Sequence, residues 1–97
     1  MPTYILLGSF TDQGIRNVKD TTKRAEVLRD MGQKFGVTVK EVYWTLGRYD
    51  VATILEAPDD AAATALGLSI GALGNVRTET MRAFSAAEMS QVLGRMG

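Results

Sequence analysis

Residues 37–56, VTVKEVYWTLGRYDVATILE, have the pattern of a β-hairpin. β-branched and aromatic residues, which favour strands, lie on both sides of the pair Gly47-Arg48. Glycine at the first central position is typical of a two-residue type II′ turn. We therefore predict one strand over Val37–Leu46 and its partner over Tyr49–Glu56, with Gly47 as the structural turn residue.

The turn sets the register of the hairpin. A two-residue turn pairs Trp44 with Val51 and Tyr43 with Ala52, and successive side chains then lie on opposite faces of the sheet. Asp50 becomes a charged residue one position inside a strand that is otherwise apolar. A carboxylate in such a place needs a hydrogen-bonding partner or a function. Asp50 is therefore the first candidate site residue.

A strand and a helix are predicted before the hairpin. Tyr4–Phe10 is a continuous apolar run, typical of a strand covered on both faces. Asp12 is a suitable N-cap for a helix, and Gly36 is a suitable residue to end it. Between them, apolar or small residues recur every three or four positions, which predicts one amphipathic helix of about six turns. These residues are Ile15, Val18, Thr22, Ala25, Leu28, Met31 and Phe35.

A second helix and a fourth strand are predicted after the hairpin. Pro58 and the two aspartates that follow it start a helix over Asp59–Leu73. Gly67 and Gly71 inside this helix each cost about 1 kcal/mol relative to alanine, which predicts that a neighbouring element approaches the helix closely. Val76–Phe84 has the composition of a strand.

The order of elements indicates the fold. Ser85 and Glu88 have the spacing of a capping box for a short C-terminal helix. The predicted order is β-α-β-β-α-β plus that helix, in one domain over residues 1–97. Two right-handed crossovers place both long helices on one face of a four-stranded antiparallel sheet, with strands one and three in its centre. The predicted class is α+β, with a ferredoxin-like arrangement.

The second face of this sheet is expected to be covered by another chain. Strand one places apolar side chains on both faces over Tyr4–Leu7, whereas a strand with one wet face alternates between apolar and polar residues. A chain of this length also buries only roughly 60–65% of its extended surface. We therefore expect a homodimer, or a multiple of it, in which two sheets pack as a dimeric α+β barrel.

Composition excludes several classes of function. Eleven basic and eleven acidic side chains balance, which gives no general attraction to nucleic acid or to an anionic membrane surface. The chain has no cysteine and no histidine, so disulfides, thiolate catalysis and the commonest metal ligands are excluded. We expect no metal and no cofactor. No apolar run reaches membrane-spanning length and no signal-peptide pattern is present, so we expect a cytoplasmic location.

Two segments resemble a known family: YWTLGRYDVATILEAPDD at residues 43–60 and GNVRTETMRAF at residues 74–84. They resemble the GYD-domain family, named for the Gly-x-Tyr-Asp run that is Gly47, Tyr49 and Asp50 here. The similarity extends over essentially the whole chain and implies a branch of the dimeric α+β barrel proteins. It implies no particular activity. Similar turns in the effector domains of feast/famine regulators lie near metabolite sites, which suggests a small-molecule ligand beside the hairpin.

The candidate ligand-binding residues surround the predicted turn. They are Tyr43, Trp44, Arg48, Tyr49 and Asp50. Tyr43 and Trp44 face opposite sides of the sheet, so one of them faces the partner copy, as part of the dimer core or as a ligand-stacking group. Arg48 is either exposed or binds the carboxylate of a ligand. Asp50 either accepts hydrogen bonds from turn N–H groups or Thr45, or acts as an acid or base.

Two hypotheses of function follow. The leading one is a homodimeric small-molecule-binding or interaction module. The alternative is a cofactor-independent enzyme of the dimeric α+β barrel type that uses Asp50 as its acid or base.

Overall fold

The computed structural model describes residues 1–97 and confirms the predicted α+β class, with ferredoxin-like topology. The elements are β1 Thr3–Phe10, α1 Asp12–Arg16, a 3₁₀ turn Val18–Asp20, α2 Thr21–Lys34, β2 Thr38–Trp44, β3 Val51–Glu56, α3 Asp60–Ala72, β4 Val76–Ala83 and α4 Ala86–Gly94. The strands form one open antiparallel sheet in the order β2-β3-β1-β4, so β1 and β3 are central as predicted.

The predicted long first helix is broken. Asn17 leaves the helical conformation, with φ −107° and ψ 29°, between α1 and the 3₁₀ turn. The Arg24 guanidinium donates to the carbonyl oxygens of Asn17 at 2.8 Å and Gly14 at 3.3 Å, which compensates groups that the break leaves without helical partners. The N-cap of α1 is Thr11 rather than Asp12, because the Thr11 side chain accepts from the Gly14 N–H.

The hairpin has the predicted register but a wider loop. Trp44 pairs with Val51 and Tyr43 with Ala52, yet both strands end there and residues 45–50 form the connection. One further backbone bond, from the Thr45 N–H to the carbonyl oxygen of the residue before Val51, continues the ladder at 2.9 Å. The expected tight turn is therefore absent, and the conformation of the loop is set by longer-range bonds.

Gly47 remains a conformational requirement of this loop. Its φ is +109°, in the region that side-chain-bearing residues rarely adopt, and a Cβ there would meet no other atom within 4 Å. The constraint at Gly47 is therefore torsional and not steric.

The two faces of the sheet have different environments. The helix side forms the core, where α2 and α3 pack on the sheet. Its buried hydrophobic residues are Tyr4, Leu6, Leu28, Val37, Val39, Leu55, Ala57, Ala63 and Leu66. On the opposite side, which we call the open face, Ile5, Leu7 and Ile54 are half-buried, and no helix of this chain covers them. The predicted loading of both faces of β1 is confirmed.

The C-terminal helix α4 has the predicted capping box. The Ser85 hydroxyl accepts from the Glu88 N–H at 3.1 Å, and the Glu88 carboxylate accepts from the Ser85 N–H at 2.9 Å. This backbone hydrogen bond, together with the nearby Arg82, holds the pKa of Glu88 below its usual value. No residue of α4 is buried. No helix combines the length and the apolar character that crossing a membrane requires.

Candidate functional site

A groove crosses the open face beside the hairpin loop. The Tyr49 hydroxyl donates to the Glu79 carboxylate at 2.8 Å, and the Arg48 guanidinium lies 5.5 Å from the centre of the Tyr49 ring. Hydrogen bonding to Glu79 raises the pKa of Tyr49 above its usual value of 10.0. The groove has a volume of about 360 Å³. This hairpin groove is lined by Leu7, Ser9, Arg48, Tyr49, Arg77, Thr78 and Glu79.

Tyr43 and Trp44 lie on opposite faces, as predicted from their positions in the strand. Tyr43 is 55% exposed. It pairs with Ala52, which lies on the same face of β3 as Ile54 because side chains two positions apart share a face. Tyr43 therefore lies on the open face. Trp44 lies on the helix side, where its indole N–H donates to the Thr21 hydroxyl at 2.9 Å. Of the two candidate aromatic residues, the structure therefore places Tyr43 on the open face and Trp44 on the helix side.

Asp50 extends the hydrogen bonding of the central strands. The pairing of β1 with β3 ends at Gly8 and Val51. Beyond that point the Asp50 N–H donates to the Gly8 carbonyl at 2.9 Å, and the Asp50 carboxylate accepts from the Phe10 N–H at 2.8 Å. The expected acceptor role is present, but the donor belongs to β1 and not to the turn or the Thr45 side chain. The Thr45 hydroxyl instead donates to the Tyr49 carbonyl at 2.6 Å.

The contacts of Asp50 explain why a carboxylate follows the turn. The N–H of Phe10 extends past the last paired residue of β3, and a half-buried N–H without a partner is costly. The short side chain of aspartate reaches this N–H while its own backbone continues the ladder. The geometry therefore assigns Asp50 a contact that holds the loop to the central strand.

Sequence reasoning missed the contribution of β4 to this site. Glu79 and Arg77 were not among the predicted site residues, yet both line the hairpin groove. They come close to Tyr49 because β1 pairs Leu7 with Glu79 and Ser9 with Arg77. No local pattern specifies that register. No group of three or more acidic side chains lies close enough together to hold a metal ion.

Comparison with known proteins identifies the family. The model of the GYD domain matches residues 4–93. The matched region includes β1 from its second residue, the other three strands in full and most of α4. The chain belongs to the GYD domain family. The resemblance carried by the segments at residues 43–60 and 74–84 is thereby confirmed.

The name of one relative states two proteins that the relative binds. The glutamine synthetase and cystathionine beta-lyase binding protein of Thermus thermophilus is 36% identical over 90 residues. The aligned region covers 92% of this chain and 95% of that protein. The similarity therefore extends over both proteins almost from end to end.

Proposed function

We propose that this GYD domain is a homodimeric interaction module that binds other proteins. The observation that carries the proposal is the open face, where Ile5, Leu7 and Ile54 form an apolar surface on the two central strands. Met81 of β4 pairs with Ile5 and adds to this surface with 43% of its area exposed. A contiguous apolar surface rimmed by charged residues is typical of a protein–protein interface. A second copy of the same sheet is the occupant that this shape and chemistry favour.

Substitution in the centre of the open face tests the dimer. We expect the wild-type protein to have twice the chain mass of 10.5 kDa by light scattering. Ile5→Lys should give a folded species of a single chain mass, because each copy would bring an uncompensated charge into the apolar interface. The matched control is Leu68→Lys on α3, since Leu68 is 71% exposed and belongs to a helix. A wild-type mass of one chain, or a dimeric Ile5→Lys variant, would contradict the dimer.

Enzymes are the partners that we propose for the module. The Thermus thermophilus relative is named for binding glutamine synthetase and cystathionine beta-lyase, and this chain aligns with almost all of it. The tip of the hairpin supports a protein contact, because the loop exposes Leu46 fully and carries Arg48, and arginine is enriched among the residues that dominate binding energies. An exposed leucine next to an arginine and a tyrosine provides an apolar anchor with polar neighbours.

Titration against the two purified enzymes tests the partner proposal. We expect at least one of them to bind the wild-type protein, measured by isothermal titration calorimetry. Leu46→Ser should weaken that binding roughly tenfold, because it removes an apolar side chain that the proposed complex buries. The substitution should leave the mass of the protein in solution and its melting temperature unchanged. Absence of binding to both enzymes would overturn the partner proposal and leave the dimer proposal standing.

A small polar ligand in the hairpin groove is the second candidate function. Arg48 and Arg77 supply donors for an anionic group, while Ser9 supplies a hydroxyl. The predicted ligand residues Arg48 and Tyr49 lie in this groove, whereas Trp44 and Asp50 do not line it. The enzyme alternative has weaker geometric support, because the Asp50 carboxylate is already bonded to the Phe10 N–H.

A further inference from the structure

A second cavity lies on the other side of the sheet, under α2 and α3. It has a volume of about 120 Å³ and is lined mainly by apolar side chains, among them Leu6, Leu28 and Ile70. The side chain of Trp44 lines it as well and is 44% exposed, so the cavity reaches the protein surface there. It shares no residue with the hairpin groove. Any ligand in it would be separate from the surfaces of the proposed interaction module.

Gly8 contributes open space to this cavity. Glycine in the interior of a strand weakens it and often marks a place where another molecule approaches. The backbone at Gly8 does not require glycine, since its φ is not positive. A Cβ would lie 3.8 Å from Val51 and 3.9 Å from Val76, which are ordinary contact distances. Neither the backbone torsion angles nor packing within this chain requires glycine at position 8. The absence of a side chain there leaves additional room in the cavity.

Thr53 brings an unpaired hydroxyl to the same cavity. The residue is fully buried at 0% exposure, and its Oγ1 is the buried side-chain oxygen without a hydrogen-bond partner. Valine has the same shape and no unsatisfied group, so threonine is costly at this position unless something bonds to it. Thr53 pairs with Leu6 in β1 and with Val42 in β2, all on the helix side. The residue lines the cavity, and its hydroxyl is the polar group in that wall with a hydrogen bond still to make.

Arg24 gives the cavity a positive charge. Its guanidinium donates only to backbone carbonyl oxygens and lies 5.8 Å from the centre of the Phe10 ring. Neither of the two salt bridges in the protein includes Arg24, so no carboxylate neutralises it. A half-buried, uncompensated arginine attracts an anion, and a carboxylate matches its geometry.

We propose that this cavity binds a small aromatic carboxylate that carries a hydroxyl group. The ring would occupy the apolar space beside Gly8, with its carboxylate toward Arg24 and its hydroxyl bonded to Thr53. The cavity volume of about 120 Å³ is somewhat below the roughly 150 Å³ of a protein cavity that holds benzene, so part of the ligand has to extend through the opening. The cavity opens beside Trp44, which leaves the carboxylate room beyond the ring.

Three probe molecules separate the contributions of ring, charge and hydroxyl. Trp44 is the single tryptophan of the chain and lines the cavity, so its fluorescence reports binding directly. We expect 4-hydroxybenzoate to bind the wild-type protein, and benzoate and 4-hydroxybenzamide each to bind roughly tenfold more weakly, because each lacks one polar contact. An unchanged Trp44 emission with all three probes, or equal affinities for them, would overturn the proposal.

Two conservative variants test the positions that define the site. Gly8→Ala should keep or raise the melting temperature and weaken 4-hydroxybenzoate binding roughly tenfold, because the added methyl group occupies part of the cavity. Thr53→Val should keep or raise the melting temperature and bind 4-hydroxybenzoate no better than benzoate. Unchanged binding in Gly8→Ala would overturn the location of the site. A lower melting temperature in Thr53→Val would show that the hydroxyl is bonded within the folded protein, and would overturn its role in binding.

Discussion

Replacement of Gly14 with alanine is expected to destabilise the fold by about 3 kcal/mol, near the upper end of the usual cost of overpacking. Gly14 is buried in α1, and a Cβ on it would lie 1.9 Å from the carbonyl oxygen of Asn75 and 2.8 Å from its carbonyl carbon. Both atoms belong to the backbone, so no side-chain rotation removes the clash. The melting temperature should fall by roughly 12–24 °C for a chain of this size.

The segment that faces Gly14 cannot easily move away. The Thr11 N–H donates to the Asn75 carbonyl at 3.1 Å, and the Thr11 hydroxyl donates to the Gly74 carbonyl at 2.6 Å. The Gln13 side chain donates to the Leu73 carbonyl at 3.2 Å. A displacement of either segment large enough for a methyl group would break these bonds together, and that loss adds to the cost of the clash.

A second helical glycine provides the matched control. Gly94 lies at the end of α4 with no atom within 4 Å of the Cβ position, so Gly94→Ala should be neutral or slightly stabilising. Thermal unfolding followed by circular dichroism measures both variants. A Gly14→Ala protein that melts within a few degrees of the Gly94→Ala protein would contradict the close approach of α1 to Asn75.

The glycines show where sequence reasoning succeeds and where it fails. Gly67 was predicted to allow a close approach, and a Cβ there would lie 3.4 Å from the Thr80 hydroxyl of β4. Gly71 carried the same prediction, but its nearest neighbour would be 4.0 Å away. The close approach of another segment to Gly14 was not predicted. Its closest neighbour, Asn75, is distant in the chain, and nothing near Gly14 indicates where that segment crosses α1.

The hairpin shows the same division between local and distant causes. The pairing of Trp44 with Val51 was predictable because alternation and turn position are properties of the local sequence. The direction of Tyr49 was not predictable in this way. Strict alternation from Val51 places Tyr49 on the same face as Trp44, but it lies over the open face and bonds to Glu79. Alternation applies only while the ladder continues. Beyond Trp44 the loop is shaped by bonds to other strands.

The cavity under the helices could not be predicted from the sequence. Its lining comes from several strands and helices, and its volume depends on how closely α2 and α3 approach the sheet. The break at Asn17 contributes, because the carbonyl oxygens around it hold the Arg24 side chain that lines the cavity. A continuous helix, as the periodicity indicated, would satisfy those oxygens internally and leave Arg24 without these partners.

Asp50→Ala is expected to destabilise the protein by about 2 kcal/mol, because the half-buried Phe10 N–H loses its acceptor. Asp50→Asn should lie between this variant and the wild type. Its amide oxygen can still accept from the N–H, but without the added strength of a charged acceptor. The order of stability is therefore wild type, asparagine, alanine. Urea unfolding at neutral pH measures all three, and an alanine variant as stable as the wild type would contradict the contact.

A surface aspartate separates this contact from a general effect of charge. Asp30 is exposed in α2 and makes no side-chain hydrogen bond or salt bridge, so Asp30→Asn should leave stability unchanged. The same net charge is then removed from both proteins. If Asp50→Asn is less stable than Asp30→Asn, the carboxylate stabilises the junction of the loop with β1. If the two are equally stable, the carboxylate is free for another role, and the alternative in which Asp50 is an acid or base gains support.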